Sequence, residues 1–312
     1  MKKKNYAIAL VCILFFLSPL VFNAYWVDVL NNIGIYAILA LSLNFILGDT
    51  GLFHMGHAAF YAVGAYTTAI LNTMYHIPVI WLIPFSGLTA AIFGYLVARP
   101  IIHLRGDYLL IVTIGIVEIV RIALVNNIFG ITGGSNGIFG ISRPHIFGLV
   151  IRRPEQFFYY IWIFVAVSVY LFHRLRNSRF GRALNYIKED EVAAEGTGVN
   201  ISRYKLIAFV LGAFWAGMVG NIYASKMTII SPESFTFWES VVLFCIVILG
   251  GSGSINGVIL GSFLLIGLPE IFREFAQARM LIFGLAMIVM MIFRPQGILP
   301  PPPRKYRIPS IN

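Results

Sequence analysis

A chain of 312 residues that is 59% hydrophobic and only 12% charged cannot hide its apolar surface in a soluble core, which leaves a polytopic helical membrane protein. Its net charge of +10 would point to nucleic acid in a soluble chain, but basic loops kept on one side of a bilayer explain it more simply. The two cysteines, Cys12 and Cys245, each lie in an apolar run, where a thiol packs rather than forming half of a disulfide or metal pair.

Met1-Lys-Lys-Lys followed by Tyr6–Phe22 has the layout of a signal peptide, yet Phe22-Asn23-Ala24 is a poor cleavage site. An uncleaved first span with a cytoplasmic N-terminus is expected. Further spans are expected at Trp26–Leu47, Gly51–Leu71, Val79–Ala98, Tyr108–Val125, Phe157–Phe172, Leu206–Ala224, Glu239–Leu249, Ile255–Leu268 and Met280–Phe293. The fold class is therefore all-α, with about ten transmembrane segments, some short or glycine-broken. Threaded alternately, the chain has sixteen Lys and Arg residues on the side of both termini and six on the other, the bias of cytoplasmic loops.

Leu47-Gly-Asp-Thr-Gly51 and Leu249-Gly-Gly-Ser-Gly253 each precede an apolar run, six spans apart. Matching interruptions in two halves can mark a pathway built from internal repeats, although so short a string also arises by chance. His54 and His57 sit three apart, with Asp49 the nearest carboxylate, too few ligands for a metal site. They suit a polar lining of the pathway or a hydrogen bond between helices. Glu118 and Arg121, at i and i+3 in Tyr108–Val125, form either a buried ion pair locking two helices or a dipole lining the pathway. The loop Asn126–Gln156, with Thr132-Gly-Gly-Ser-Asn-Gly, suits an ordered cap on the outer face.

Between apolar segments lies a charged island, Arg179–Asn200, proline-free from Ala183 to Glu195. Phe180, Ala183, Leu184, Ile187 and Ala194 fall at helical spacing, so Ala183–Glu195 is expected as one helix about 20 Å long, stopped by Gly196 and Gly198. It is either a solvated loop or a helix that hands force from a soluble partner to the bundle. Arg294-Pro-Gln-Gly and Pro300–Pro303 then end the chain in an extended cytoplasmic tail. No GxSxG, HExxH, GxGD, Ser-Lys or GxxxxGK[ST] pattern occurs, so any nucleotide-driven step belongs to a separate chain.

Several strings taken together resemble one family. They are Leu43-Asn44 with Gly48-Asp-Thr-Gly-Leu-Phe-His-Met-Gly-His-Ala-Ala-Phe60, Gly64-Ala-Tyr66, Leu104-Arg-Gly-Asp-Tyr108, Thr132-Gly-Gly-Ser-Asn-Gly137, the island, Ser231-Pro-Glu-Ser-Phe-Thr-Phe237, Leu249-Gly-Gly-Ser-Gly-Ser254 and Arg294-Pro-Gln-Gly-Ile-Leu-Pro300. They look like the LivM-type permease of branched-chain amino acid ABC importers, with the LivH-type and urea-importer permeases similar enough to keep in view. The resemblance implies a single permease domain over 1–312 in the inner membrane of a prokaryote, both termini cytoplasmic. It implies a LivH-type partner permease, two cytoplasmic ATPases holding ATP and magnesium, an extracytoplasmic binding protein, and no cofactor or nucleic acid on this chain.

The loop at about 174–205 would then carry the ATPase-coupling residues Arg182, Glu191, Val192, Ala193, Ala194, Glu195 and Gly198. The family's EAA-x3-G register falls on Val192-Ala193-Ala194 and Gly198, with Val192 in place of the glutamate and Glu191 one residue early. Pathway candidates are Asn44, Gly48, Gly51, His54, His57, Glu118, Arg121, Gly250 and Gly253. Binding-protein-facing candidates are Gly133, Gly134, Asn136, Glu233 and Phe235. The implied cargo is leucine, isoleucine or valine, with urea or a short amide as the alternative; the rival functions are an ion-coupled secondary transporter and an intramembrane enzyme.

Overall fold

The computed structural model describes residues 15–104, 106–146 and 148–271, together with 284, 288, 292–294 and 296–301. Of the expected first span only 15–22 are described, residues 15–21 as helix; most of Met280–Phe293 and the tail beyond 301 lie outside the described residues.

Helix α1, Ala24–Thr50, is the axis of the bundle. The Asn23 side chain caps it by accepting from Trp26 N, and Gly51 at φ +75° closes it with its N–H on Leu47 O. Every residue from Ala37 to Thr50 is buried, which fits a run that is apolar all round rather than on one face. Around it pack α5 (Pro154–Asn177), α8 (Ile201–Met227), α9 (Phe237–Gly250) and α10 (Ile255–Ser262). Helix α10 continues through a π turn, Phe263–Gly267, into α11, Leu268–Ile271.

Helices α2 (His57–Tyr75) and α3 (Val79–Ile101) are fastened to α8 by small residues. Gly64 lies against the Gly217 backbone, and a Cβ on Gly217 would strike Ala90 and Ser86 O. Helices in lipid gain little from hydrophobic burial against one another, so such close backbone approach is what holds them. Asn221 Nδ2 adds hydrogen bonds to Thr68 Oγ1 and Val79 O, both 3.0 Å, joining all three helices. Helix α4, Asp107–Val125, is peripheral, with Tyr108, Ile111 and Ile119 exposed.

Two expectations need correction. The stretch Gly51–Leu71 is not one helix: 51–56 is irregular, and α2 begins at His57. The irregular backbone is held from a distance by Met55 N donating to Thr113 Oγ1 (3.0 Å), and the first turn of α2 by Ala58 N donating to Ser240 Oγ (3.0 Å). The island is likewise two helices, α6 (Arg179–Glu189) and α7 (Glu191–Gly196). Asp190 breaks it in extended conformation (φ −153°, ψ 111°), and its carboxylate caps α7 by accepting from Val192 N and Ala193 N. Gly198, at φ +84°, ends α7, with Gly198 N on Glu195 O and Val199 N on Ala194 O.

On the face opposite the island the long loop is ordered. Asn127 Oδ1 gathers the N–H groups of Thr132 and Gly133. Strand β1 (Ile138–Phe139) pairs antiparallel with β4 (Ile229–Ile230), and β2 (His145–Ile146) pairs with β3 (Leu149–Val150).

Candidate functional site

At the island end of α1 the two glycine-rich strings meet. Asn44 Oδ1 accepts from Gly253 N at 2.7 Å, and the hydrogen of Gly48 faces Gly253, whose Cα would stand 2.8 Å from a Gly48 Cβ. The C-terminal segment joins the same clasp, with Ile298 N donating to Leu249 O and Leu299 N to Gly250 O. Gly250 packs on the Gly257 backbone, and Gly251 (φ +116°) packs on Gly297. The start of the proline-rich tail is therefore bonded to the bundle rather than extended away from it.

Two cations tie neighbouring segments to this clasp, Lys188 from the island and Arg176 from the last turn of α5. Lys188 Nζ donates to Gly48 O at 2.7 Å, and Arg176 Nε meets Asp49 Oδ1 at 3.2 Å. Burial pulls the Lys188 ammonium below the usual lysine range, against the opposing pull of the Asp49 carboxylate. Gly51 completes the junction, because its Cβ would sit 3.4 Å from Lys188 Cγ. Of the residues singled out in the sequence, Asn44, Gly48, Gly51, Gly250 and Gly253 are thus brought together. Arg176, Lys188 and Asp49 were not: each reads locally as an ordinary loop charge.

The island presents two faces. Ala194 is 3% exposed and belongs to the island's own packing, whereas Val192 is 74% exposed, with Ala193 and Glu195 beside it. A groove of about 640 Å³ between α6 and α7 is lined by Arg182, Ala183, Tyr186, Ala193, Ala194 and Val199. Behind α7 a recess of about 560 Å³ holds Glu195, Gly198 and the Glu191–Lys205 ion pair, 2.5 Å apart. Glu191 is therefore engaged by this chain's own α8, and Glu195 is the exposed acid of α7.

His54 and His57 are fully buried between Phe60 and Phe209. Ser42 Oγ already donates to Leu39 O, so His57 Nε2 is the donor in its 2.7 Å bond to Ser42. Among the described residues no group of three His, Cys, Asp or Glu side chains is placed to hold a metal. Glu118 and Arg121 do pair, at 2.9 Å, but both are partly exposed on peripheral α4, and Arg121 reaches on to Glu233 at 3.4 Å. Through Arg121 the pair connects α4 to the turn Pro232–Phe235.

On that same face the 3-10 turns Gly134–Asn136 and Pro232–Phe235 lie together, with Gly133 beside them. Glu233 is 70% exposed, whereas Phe235 is buried among Tyr61, Tyr66 and Tyr223. The sequence reading missed a polar file on this side: Asp28, Asn32 and Tyr36 of α1, with Lys226 and Glu239. The signal was there, since three polar residues at i, i+4 and i+8 in an apolar run share a helix face.

The family model for the branched-chain amino acid transport system permease component matches residues 25–293. The high-affinity branched-chain amino acid transport system permease protein LivM of Escherichia coli K12 is 40% identical, the alignment covering 96% of this chain and 75% of that protein. A probable LivM of Methanocaldococcus jannaschii is 28% identical over 89% of this chain and 96% of its own length. LivH of Escherichia coli K12 is 25% identical over 85% of this chain and 91% of its own. No solved structure matches.

Proposed function

This chain belongs to the branched-chain amino acid transport permease family, and on that premise we propose that it carries leucine, isoleucine and valine inward as one permease subunit of an ATP-driven importer. It spans the cytoplasmic membrane as a single permease domain over 1–312, with both termini and the island inside, the side that holds sixteen of its basic residues. A LivH-type permease is its partner in the membrane. Two ATPase subunits complete the importer on the cytoplasmic side, one of them seating the exposed face of α7, and a binding protein delivers cargo to the face formed by Gly133, Gly134, Asn136 and Glu233. The chain does no covalent chemistry.

The observation that carries the mechanism is the bond from Lys188 Nζ to Gly48 O, backed by Arg176 on Asp49. It links the island, a charged segment between spans, to the most buried of the long apolar helices. When the ATPases close on ATP they push the island; the island and the lower half of α1 move as one body, and the glycine clasp moves with them. Close backbone packing has few intermediate arrangements, so such a push is passed on as a shift of whole helices.

Reconstitution tests the reading. Proteoliposomes holding this chain, its partner permease and the ATPases should take up radiolabelled leucine only with ATP inside and loaded binding protein outside. Uptake of urea but of none of the three amino acids, or leucine uptake that ignores ATP, contradicts it.

A further inference from the structure

On the face opposite the island, the short sheet of β1 and β4 leaves apolar side chains uncovered. Phe139 and Ile229 are cross-strand partners, 58% and 47% exposed, while Ile230 beside them is buried. An open two-stranded sheet carries unpaired backbone groups along its edges and cannot lie in hydrocarbon. Lipid tails therefore do not cover this pair.

Next to the sheet stands a loop with three arginines, Arg143, Arg152 and Arg153. It is held firmly in place. Ile141 N donates to Thr228 O at 3.1 Å, and Ser142 N donates to Asn72 Oδ1 at 2.7 Å. Ile151 N closes the loop on Pro144 O at 3.0 Å, and Arg143 Nη1 donates to Arg152 O at 2.9 Å. Arg152 and Arg153 are exposed, and Arg143 is partly so. The other lysine and arginine described on this face are paired within the chain, Lys226 with Asp28 and Arg121 with Glu118. Among the described residues no carboxylate pairs with the three loop arginines. Their place also runs against the bias that keeps Lys and Arg on the island's side, since this loop holds three of the six basic residues threaded here.

We propose that Phe139 and Ile229, flanked by Arg143, Arg152 and Arg153, dock the extracytoplasmic binding protein through an apolar patch edged with carboxylates. An apolar centre with arginines at its edge is the anatomy of a protein interface, and a guanidinium takes a carboxylate by two parallel bonds. A loop already fixed by its own hydrogen bonds loses little freedom on docking. The surface rests on the import reading and deepens it, by naming the chemistry that holds the binding protein.

The test measures binding of purified, leucine-loaded binding protein to the importer complex in nanodiscs. Arg152→Glu with Arg153→Glu should weaken binding about tenfold or more, and so should Phe139→Asp, with membrane abundance unchanged. Raising salt from about 50 mM to about 500 mM should weaken binding to the unmodified complex and leave the double arginine variant unmoved. p-Benzoylphenylalanine in place of Phe139 should cross-link on illumination to a binding-protein peptide that carries Asp or Glu. If a variant fails to accumulate, the salt dependence of the unmodified complex still decides. Unchanged affinity in both variants, or binding that ignores salt, overturns the surface. So does a thermal midpoint that rises with phosphatidylglycerol in the nanodisc and loses that rise in the arginine variant while affinity holds, because the arginines then serve lipid head groups. ATP-driven leucine uptake that needs binding protein, measured on the same preparation, shows whether the import reading stands when the surface falls.

Discussion

Gly48→Val should abolish leucine uptake. A Cβ at Gly48 falls on Asn44 Oδ1 and Gly253 N and comes within 2.8 Å of Gly253 Cα. Two of these contacts are backbone, so no side-chain rotation relieves them. The clasp must open, breaking the bond from Gly253 N to Asn44 and leaving both groups buried without partners. Overpacking of this kind costs about 1–3 kcal/mol, and each stranded polar group about as much again. The thermal midpoint of the purified complex should fall by about 5 °C or more. Gly115→Val serves as the control, because nothing lies within 4 Å of a Cβ there. Uptake by Gly48→Val equal to that of Gly115→Val would show that the clasp is not part of the machine.

Val192→Asp should separate assembly from folding. Val192 is 74% exposed at the outer turn of α7, so the substitution should change stability by no more than about 0.5 kcal/mol, with normal membrane abundance. At the centre of a docked interface the same change should cost about 2 kcal/mol or more, some thirtyfold in ATPase affinity. ATPase subunits should be lost on purification and leucine uptake with them. Ala194→Glu gives the contrast: that side chain is 3% exposed, so abundance itself should drop. Wild-type ATPase recovery with Val192→Asp would remove α7 as the docking face.

The spans were legible because an apolar run of membrane length has few other uses. The breaks inside them were not. Gly51 signals the end of α1, but the irregular path of 51–56 depends on Thr113, which takes the Met55 N–H, and on Ser240, which takes the Ala58 N–H at the start of α2, both from other elements. The division of the island at Asp190 was within reach, since an aspartate whose side chain can cap the next turn competes with helix continuation. Apolar spacing across Phe180 to Ala194 outweighed it. Gly48 and Gly253 sit in strings that match as a repeat would, yet their contact is a fact of tertiary packing. The tie from Lys188 to Gly48 crosses 140 positions and has no local signature. Glu239 stands at the edge of a span, where a carboxylate is common, and its bond from Tyr36 has no local signature.

The claim that the island and α1 move as one body meets its most direct test in a disulfide between them. A Cβ at Gly51 would stand 4.0 Å from Lys188 Cβ, within the range a disulfide spans. Gly51→Cys with Lys188→Cys, in a chain whose Cys12 and Cys245 are replaced by serine, is reconstituted and assayed for ATP-driven leucine uptake before and after oxidation. The covalent bond replaces the lost lysine tie, so oxidised proteoliposomes should import at least as fast as reduced ones, with both single-cysteine variants insensitive to oxidation. Uptake that stops on oxidation and returns with dithiothreitol would mean that the island slides against α1 during the cycle, and would contradict the mechanism.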